Sequence, residues 1–293
     1  MKNKGVLYLL LAGFFYATYG VFSRIMGKDF TNFYQAWSRG IIVSAVFVTL
    51  GIVNKGFVKI KKEDFKWLFL AVCGGALTIT PFYVAAVNIP IGTALLVFYA
   101  ANTTLSYILG YILFKEHLNK TKMFSLILAL VGLLFIYNEN IRLYDMKYLA
   151  YSAISGLLFT CMLMFSKKVN KKYSVFQINS IISIGTVIIN LVISLLMKEK
   201  YYLDLLSTSW YANLGYAAAQ ILALLFVVTG FKTVEAQIGS IILLSEVVFT
   251  LILGFFIFSE FPGTLSLFGG LLIFSAMLIP NIKLSSVIVK KLR

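Results

Sequence analysis

The sequence predicts an all-α membrane protein with ten transmembrane helices, arranged as two inverted five-helix repeats. Three observations predict this. The composition is 60% hydrophobic and only 13% charged, with a mean hydropathy of +0.91, far from that of soluble chains. Apolar runs long enough to cross a hydrocarbon core, about 20 residues each, recur ten times. An octet at 109–116, LGYILFKE, returns at 253–260 as LGFFIFSE.

The runs are read in order as 5–26, 32–53, 66–88, 91–114, 121–138, 147–167, 174–197, 209–231, 235–258 and 263–282. The first has the basic start of a signal peptide but no small-residue cleavage site, and nine similar runs follow, so it is read as a retained helix. In the third, Pro81 predicts a kink, because proline lacks the N–H that helix continuation needs. Pro90 marks the turn that follows. The matching positions in the second half are Leu224 and Thr233, so the kink is expected in one half alone. Gly74-Gly75-Ala76 and Ala217-Ala218-Ala219 occupy matching places in spans three and eight, where small side chains allow close helix approach.

Basic residues test this division. Nineteen Lys and Arg fall at the ends and loops on one side of the predicted topology and six on the other, with Arg39 alone inside a span. By the excess of positive charge on cytoplasmic loops, both termini are predicted cytoplasmic. The net charge of +15 is thereby explained by topology, and nucleic acid is not an expected partner. Lys outnumbers Arg 22 to 4, a composition that suggests an AT-rich bacterial genome and hence a bacterial cell membrane.

The duplication extends beyond the octets. Gly13 and Phe22-Ser23-Arg24 match Gly156 and Phe165-Ser166-Lys167; Tyr34-Gln35 matches Phe176-Gln177; Trp67 matches Trp210. The offset stays between 142 and 144, which divides the chain into a first repeat at 1–145 and a second at 146–293, ending in a short basic tail. Five spans per copy is an odd number, so the second copy enters the membrane from the opposite side. Two such halves can rock about a central site and expose it to each side in turn.

Charge at membrane depth is costly and marks candidate function. Glu246 lies roughly 17 Å into span nine at 1.5 Å per residue, near the midplane, and Arg39 lies about 10 Å into span two. A guanidinium suits a cargo carboxylate; the glutamate suits a cargo ammonium or a coupling proton. The alternative is a structural pair between them. Polar residues at helical spacing add candidate cavity walls: Tyr16 and Tyr19 in span one, Tyr99 and Asn102 in span four, Tyr216 and Gln220 in span eight, with Trp37 and Tyr83 among the aromatics able to face a ring or cation. Asn179, Ser183, Thr186 and Asn190 form a further polar face in span seven; Ser, Thr and Asn at such positions also serve ordinary interhelical hydrogen bonding, and the Tyr-rich faces of spans one, four and eight are favoured as substrate walls.

Ten helices as five plus five, Ser38-Arg39-Gly40 early in the second span, and Glu116 and Glu260 ending the fourth and ninth spans resemble the EamA-type branch of the drug/metabolite transporter superfamily. The resemblance spans nearly the whole chain. It implies a carrier of amino acids, other small metabolites, amines or drugs, commonly outward. That family's ninth span often has Glu-Pro at its centre; this chain has Glu246-Val247, and Asn102-Thr103 at the equivalent place in the first half. Neither site carries the proline that interrupts a helix.

Other classes are disfavoured. Cys73 and Cys161 lie inside apolar runs and read as reduced packing residues. His117 is the only histidine, so no metal-ligand spacing occurs, no phosphate loop is present, and no cofactor or catalytic residue is expected. The rivals are uptake of an organic cation such as a quaternary amine, a membrane enzyme acting on a lipid-linked substrate, and a structural subunit. The expected partners are a small-molecule substrate, the bilayer and a coupling proton.

Overall fold

The computed structural model describes residues 2–27, 29–137 and 146–291, with side chains up to 280 and excluding that of residue 2. The junction at 145/146 and the basic residues Lys28 and Arg142 border or fall outside the described residues. The helices are α1 (Lys2–Met26), α2 (Asn32–Val53), α3 (Lys62–Leu77), α4 (Ile79–Ala86), α5 (Ile91–Phe114), α6 (Lys120–Ile136), α7 (Met146–Val169), α8 (Val175–Leu196), α9 (Thr208–Gly230), α10 (Ala236–Leu243), α11 (Ser245–Phe258) and α12 (Thr264–Lys291). The pairs α3/α4 and α10/α11 are each one interrupted span. Among the described residues eight helical units are long and apolar enough to cross a membrane. The 17-residue α6 and the apolar part of α12 complete ten spans.

The interruption at Thr78 lies three residues before Pro81. Proline lacks the donor that would bond the Leu77 carbonyl and its ring crowds that turn. Ser155 of α7 donates to the Thr78 carbonyl at 2.7 Å, and Thr78 donates back to the Gly74 carbonyl at 2.6 Å. Polar backbone opened within a membrane needs such protein partners. The equivalent α9 is unbroken from Thr208 to Gly230, as the asymmetry of the prolines predicts.

The second interruption departs from expectation. Without a proline, span nine still breaks, at Leu244. There Leu244 N–H bonds the Ile241 carbonyl and Val247 N–H bonds the Leu244 carbonyl, each a tightened turn. The equivalent stretch of α5, through Asn102 and Thr103, is continuous. A second difference is at the end of the chain, where the backbone stays helical to Lys291 beyond the predicted end at 282.

Close approach of helices rests on glycine. A Cβ on Gly74 would fall 2.6 Å from the Leu158 carbonyl of α7, and one on Gly132 of α6 would fall 2.8 Å from the Gly269 carbonyl of α12. Lipid is as apolar as leucine, so contact of this kind, rather than water exclusion, holds spans together. At one end of the bundle, Lys172 bridges Asp64 at 2.8 Å and Glu63 at 3.2 Å, while the Tyr173 hydroxyl donates to Asp64 at 2.9 Å. These carboxylates hold the Lys172 ammonium above its ordinary pKa range.

Candidate functional site

Arg39 is only 6% exposed and its side chain stays inside the bundle. Its Nε donates to Gln220 Oε1 at 2.6 Å, and its guanidinium lies 3.7 Å from the ring centroid of Tyr216. Both partners come from α9, so the cation joins the two repeats. Its Nη1 is buried and has no hydrogen-bond partner. A guanidinium fixed on one edge and over one face, with a free donor on the other, is set to receive a further acceptor.

From Tyr216 a chain of rings leads inward. Its ring centroid lies 4.5 Å from that of Tyr19, which meets Tyr16 edge-on at 5.3 Å. The hydroxyls of Tyr16 and Tyr19 are both buried without a partner. Tyr19 feels the charges of both Arg39 and Glu246, and so lies near both. Arg39 and Glu246 therefore share a neighbourhood without pairing: among the described residues the guanidinium meets Gln220 and Tyr216, not a carboxylate.

Glu246 stands in the first turn of α11, just past the break. Tyr99, Tyr16 and Tyr137 lie within electrostatic reach of its carboxylate. Glu246 is half-buried although it sits deep in its span. Tyr99 stacks parallel to Tyr137 at 6.5 Å. Gly13 of α1 brings that helix against the break, since a Cβ there would fall 2.2 Å from Ser245 Oγ. The Ser245 hydroxyl is another buried group with no partner.

Of the ten residues the sequence singles out, Arg39, Tyr216, Gln220, Tyr19, Tyr16, Tyr99 and Glu246 form this one connected line. Trp37 flanks it, packed on Tyr34 and Tyr201 with its Nε1 buried and unpartnered. Asn102 does not join it: Oδ1 accepts from Thr160 of α7 at 2.8 Å, and the residue ties two helices of the bundle. Tyr83 meets Phe33 edge-on at 6.2 Å. Tyr137 and Ser245 are the additions that sequence reasoning missed. Tyr137 closes an apolar span and has no distinguishing neighbour in sequence. Ser245 acquires meaning only from a break that no proline announces.

The span-seven polar face is tied to α3 at Asn190, while the Asn179 side chain there is buried without a partner. Ser183 donates to the Asn179 carbonyl and Asn190 to those of Thr186 and Ala76. A groove of about 750 Å³ between α11 and α12 is lined mainly by Phe, Leu, Ile and Val with Ser266 as its one hydroxyl. Such a surface fits acyl chains of the surrounding lipid and not a polar cargo. The charged line between the repeats is the candidate site.

The profile of the EamA-like transporter family matches this chain twice, over residues 3–138 and 146–281. The chain belongs to the EamA-like transporter family. It is a multi-pass membrane transporter with a duplicated EamA domain, and a small-molecule substrate and a bilayer come with that membership. A solved structure titled only "Crystal structure of protein" superposes on this EamA protein with a TM-score of 0.83 at 13% identity, covering 98% of this chain and 99% of that one. It establishes a shared fold. No curated protein matches the chain at the level of sequence.

Proposed function

We propose that this EamA protein carries a small zwitterionic metabolite, an amino acid or a derivative of one, outward across a bacterial cell membrane by alternating access. The observation that carries the reading is the line from Arg39 to Glu246. A cation with an unpartnered Nη1 and a half-buried carboxylate deep in its span both act on Tyr19, and both repeats contribute to the line. Arg39 would take the cargo carboxylate, Glu246 its ammonium or a coupling proton, and the hydroxyls of Tyr16 and Tyr19 its remaining polar atoms. Buried groups left unpaired cost free energy until a partner arrives, so their convergence supports a ligand site more than a structural tie. Transport driven by a proton gradient and facilitated diffusion both remain compatible with one carboxylate. The proposed orientation has both termini in the cytoplasm, on the distribution of Lys and Arg.

A second reading is uptake of an organic cation. Glu246 stands among Tyr16, Tyr99 and Tyr137, and aromatic faces around a carboxylate suit a quaternary amine.

The test is thermal stabilisation of the purified protein by amino acids, amines, sugars and nucleobases, repeated with Arg39→Ala and Glu246→Gln. A ligand at 100 times its Kd stabilises by about 2.7 kcal/mol. A zwitterion whose effect disappears in both variants supports the first reading. Stabilisation by amines alone, lost only in Glu246→Gln, replaces it with the second. Stabilisation that survives both substitutions removes the line as the binding site.

A further inference from the structure

The repeated octet builds one device twice. At its end, Lys115 and Ser259 take left-handed backbone (φ 54 and 57), and the following N–H groups, of Glu116 and Glu260, return to the carbonyls of Gly110 and Gly254 at 3.1 and 3.2 Å. Each carboxylate then folds back over its own glycine. A Cβ on Gly110 would meet Glu116 Oε2 at 3.0 Å, and one on Gly254 would meet Glu260 Oε2 at 3.2 Å. Beside each carboxylate stands the equivalent base of the other repeat: Lys167 at 3.9 Å from Glu116, and Arg24 paired with Glu260.

What the two carboxylates do next differs. Glu116 accepts from the N–H groups of Ala236 and Gln237 at 2.6 and 3.1 Å, capping α10. Its side chain and that of Lys167 are 7% and 10% exposed. At this end α5 and α10 pack together, and Lys122 bridges the His117 carbonyl and Glu235. By the offset of 144 that relates the two octets, the counterparts of Ala236 and Gln237 are Gly92 and Thr93 at the start of α5. No side chain caps that helix, Thr93 keeps a buried hydroxyl with no partner, and Arg24 and Glu260 are 54% and 55% exposed. One latch is fastened and its twin is not.

We infer that Glu260 is the second latch. When the site turns to the opposite side, Glu260 accepts from the N–H groups of Gly92 and Thr93 as Glu116 now does from Ala236 and Gln237, while Glu116 releases α10. A carboxylate at a helix N-terminus gains both hydrogen bonds and the helix dipole, so each latch stabilises one end-closed state. The inference rests on the alternating-access reading, and its test needs no cargo.

Spin labels on Ile91→Cys and Phe261→Cys, with Cys73→Ala and Cys161→Ala, report the Glu260 end, since both positions are exposed at 55% and 82%. Their counterparts, Glu235 and His117, are the residues that Lys122 bridges at the fastened end. Glu116→Gln weakens the fastened latch and is expected to raise the ratio of short to long 91–261 distances about tenfold. Glu260→Gln, at an exposed position that folding tolerates, is expected to lower it by a similar factor and to abolish the rise in the double variant. An unchanged ratio in Glu260→Gln, or a rise in the double variant equal to that in Glu116→Gln alone, overturns the latch. Neither result depends on which ligand stabilises the protein, so the latch and the cargo reading fail separately.

Discussion

Arg39 shows how a single residue is fixed by what it cannot leave unmet. Gln220 takes its Nε and the Tyr216 ring takes its face, which leaves Nη1 buried without a partner. Lysine at this position keeps a charge over the ring but loses the fork, because an ammonium cannot bind Gln220 and a cargo carboxylate in the same fixed plane. Arg39→Lys is therefore expected to raise KM roughly 10- to 100-fold, the range expected from losing a hydrogen bond to a charged group, with folding retained as judged by thermal unfolding. Glu246→Gln separates cargo binding from proton coupling: loss of the pH response of flux with binding preserved assigns the proton to Glu246, and flux at the original rate with its original pH response denies that role. Both charged residues were legible in the sequence because ionisable groups are rare at depth. Tyr137 was not, since one tyrosine at the end of an apolar span looks the same whether it faces lipid or a carboxylate. Asn102 was misplaced for a related reason: its repeat-mate is Glu246, but Thr160 supplies the partner that turns it into a helix tie.

At the scale of the element, the two interrupted spans have different origins. The break at Thr78 is written in the chain, because Pro81 removes a donor and its counterpart Leu224 does not. The break at Leu244 has no local cause of that kind; it is where α1 presses on span nine through Gly13, and contacts between distant segments are not readable from propensity. The equivalent glycine, Gly156 of α7, approaches Phe98 of α5 so closely that a Cβ would fall 2.3 Å from its carbonyl oxygen. A backbone carbonyl inside a continuous helix cannot move aside, whereas the Ser245 side chain that meets Gly13 can rotate. Gly156→Ala is accordingly expected to destabilise the protein by about 1–3 kcal/mol, the usual range for overpacking, and Gly13→Ala by less. Thermal unfolding in detergent checks the order, and a larger loss for Gly13→Ala contradicts the argument. Glu116→Ala leaves the Ala236 and Gln237 donors without an acceptor in a buried place, so a loss of about 1–3 kcal/mol for each orphaned group is expected by the same measurement.

For the whole molecule, composition and the offset of 142 to 144 residues carried most of the architecture. Ten spans and two repeats followed from run length and internal similarity, because a bilayer imposes both length and backbone satisfaction on anything that crosses it. Which end is fastened did not follow, since both octets read alike and the difference lies in whether their glutamates reach the opposite repeat. Orientation in the membrane is proposed from charge alone and makes the last prediction. Lys171 and Lys200 are both exposed and fall on opposite sides of α8, so a single span separates them. If the excess of Lys and Arg sets the topology, Lys200→Cys in a background of Cys73→Ala and Cys161→Ala is labelled in intact cells by a membrane-impermeant thiol reagent. Lys171→Cys is then labelled only after the membrane is opened. The reverse pattern inverts the molecule: the fastened Glu116 end would face outward, and the same structure would be a carrier waiting for cargo from inside the cell instead of outside it.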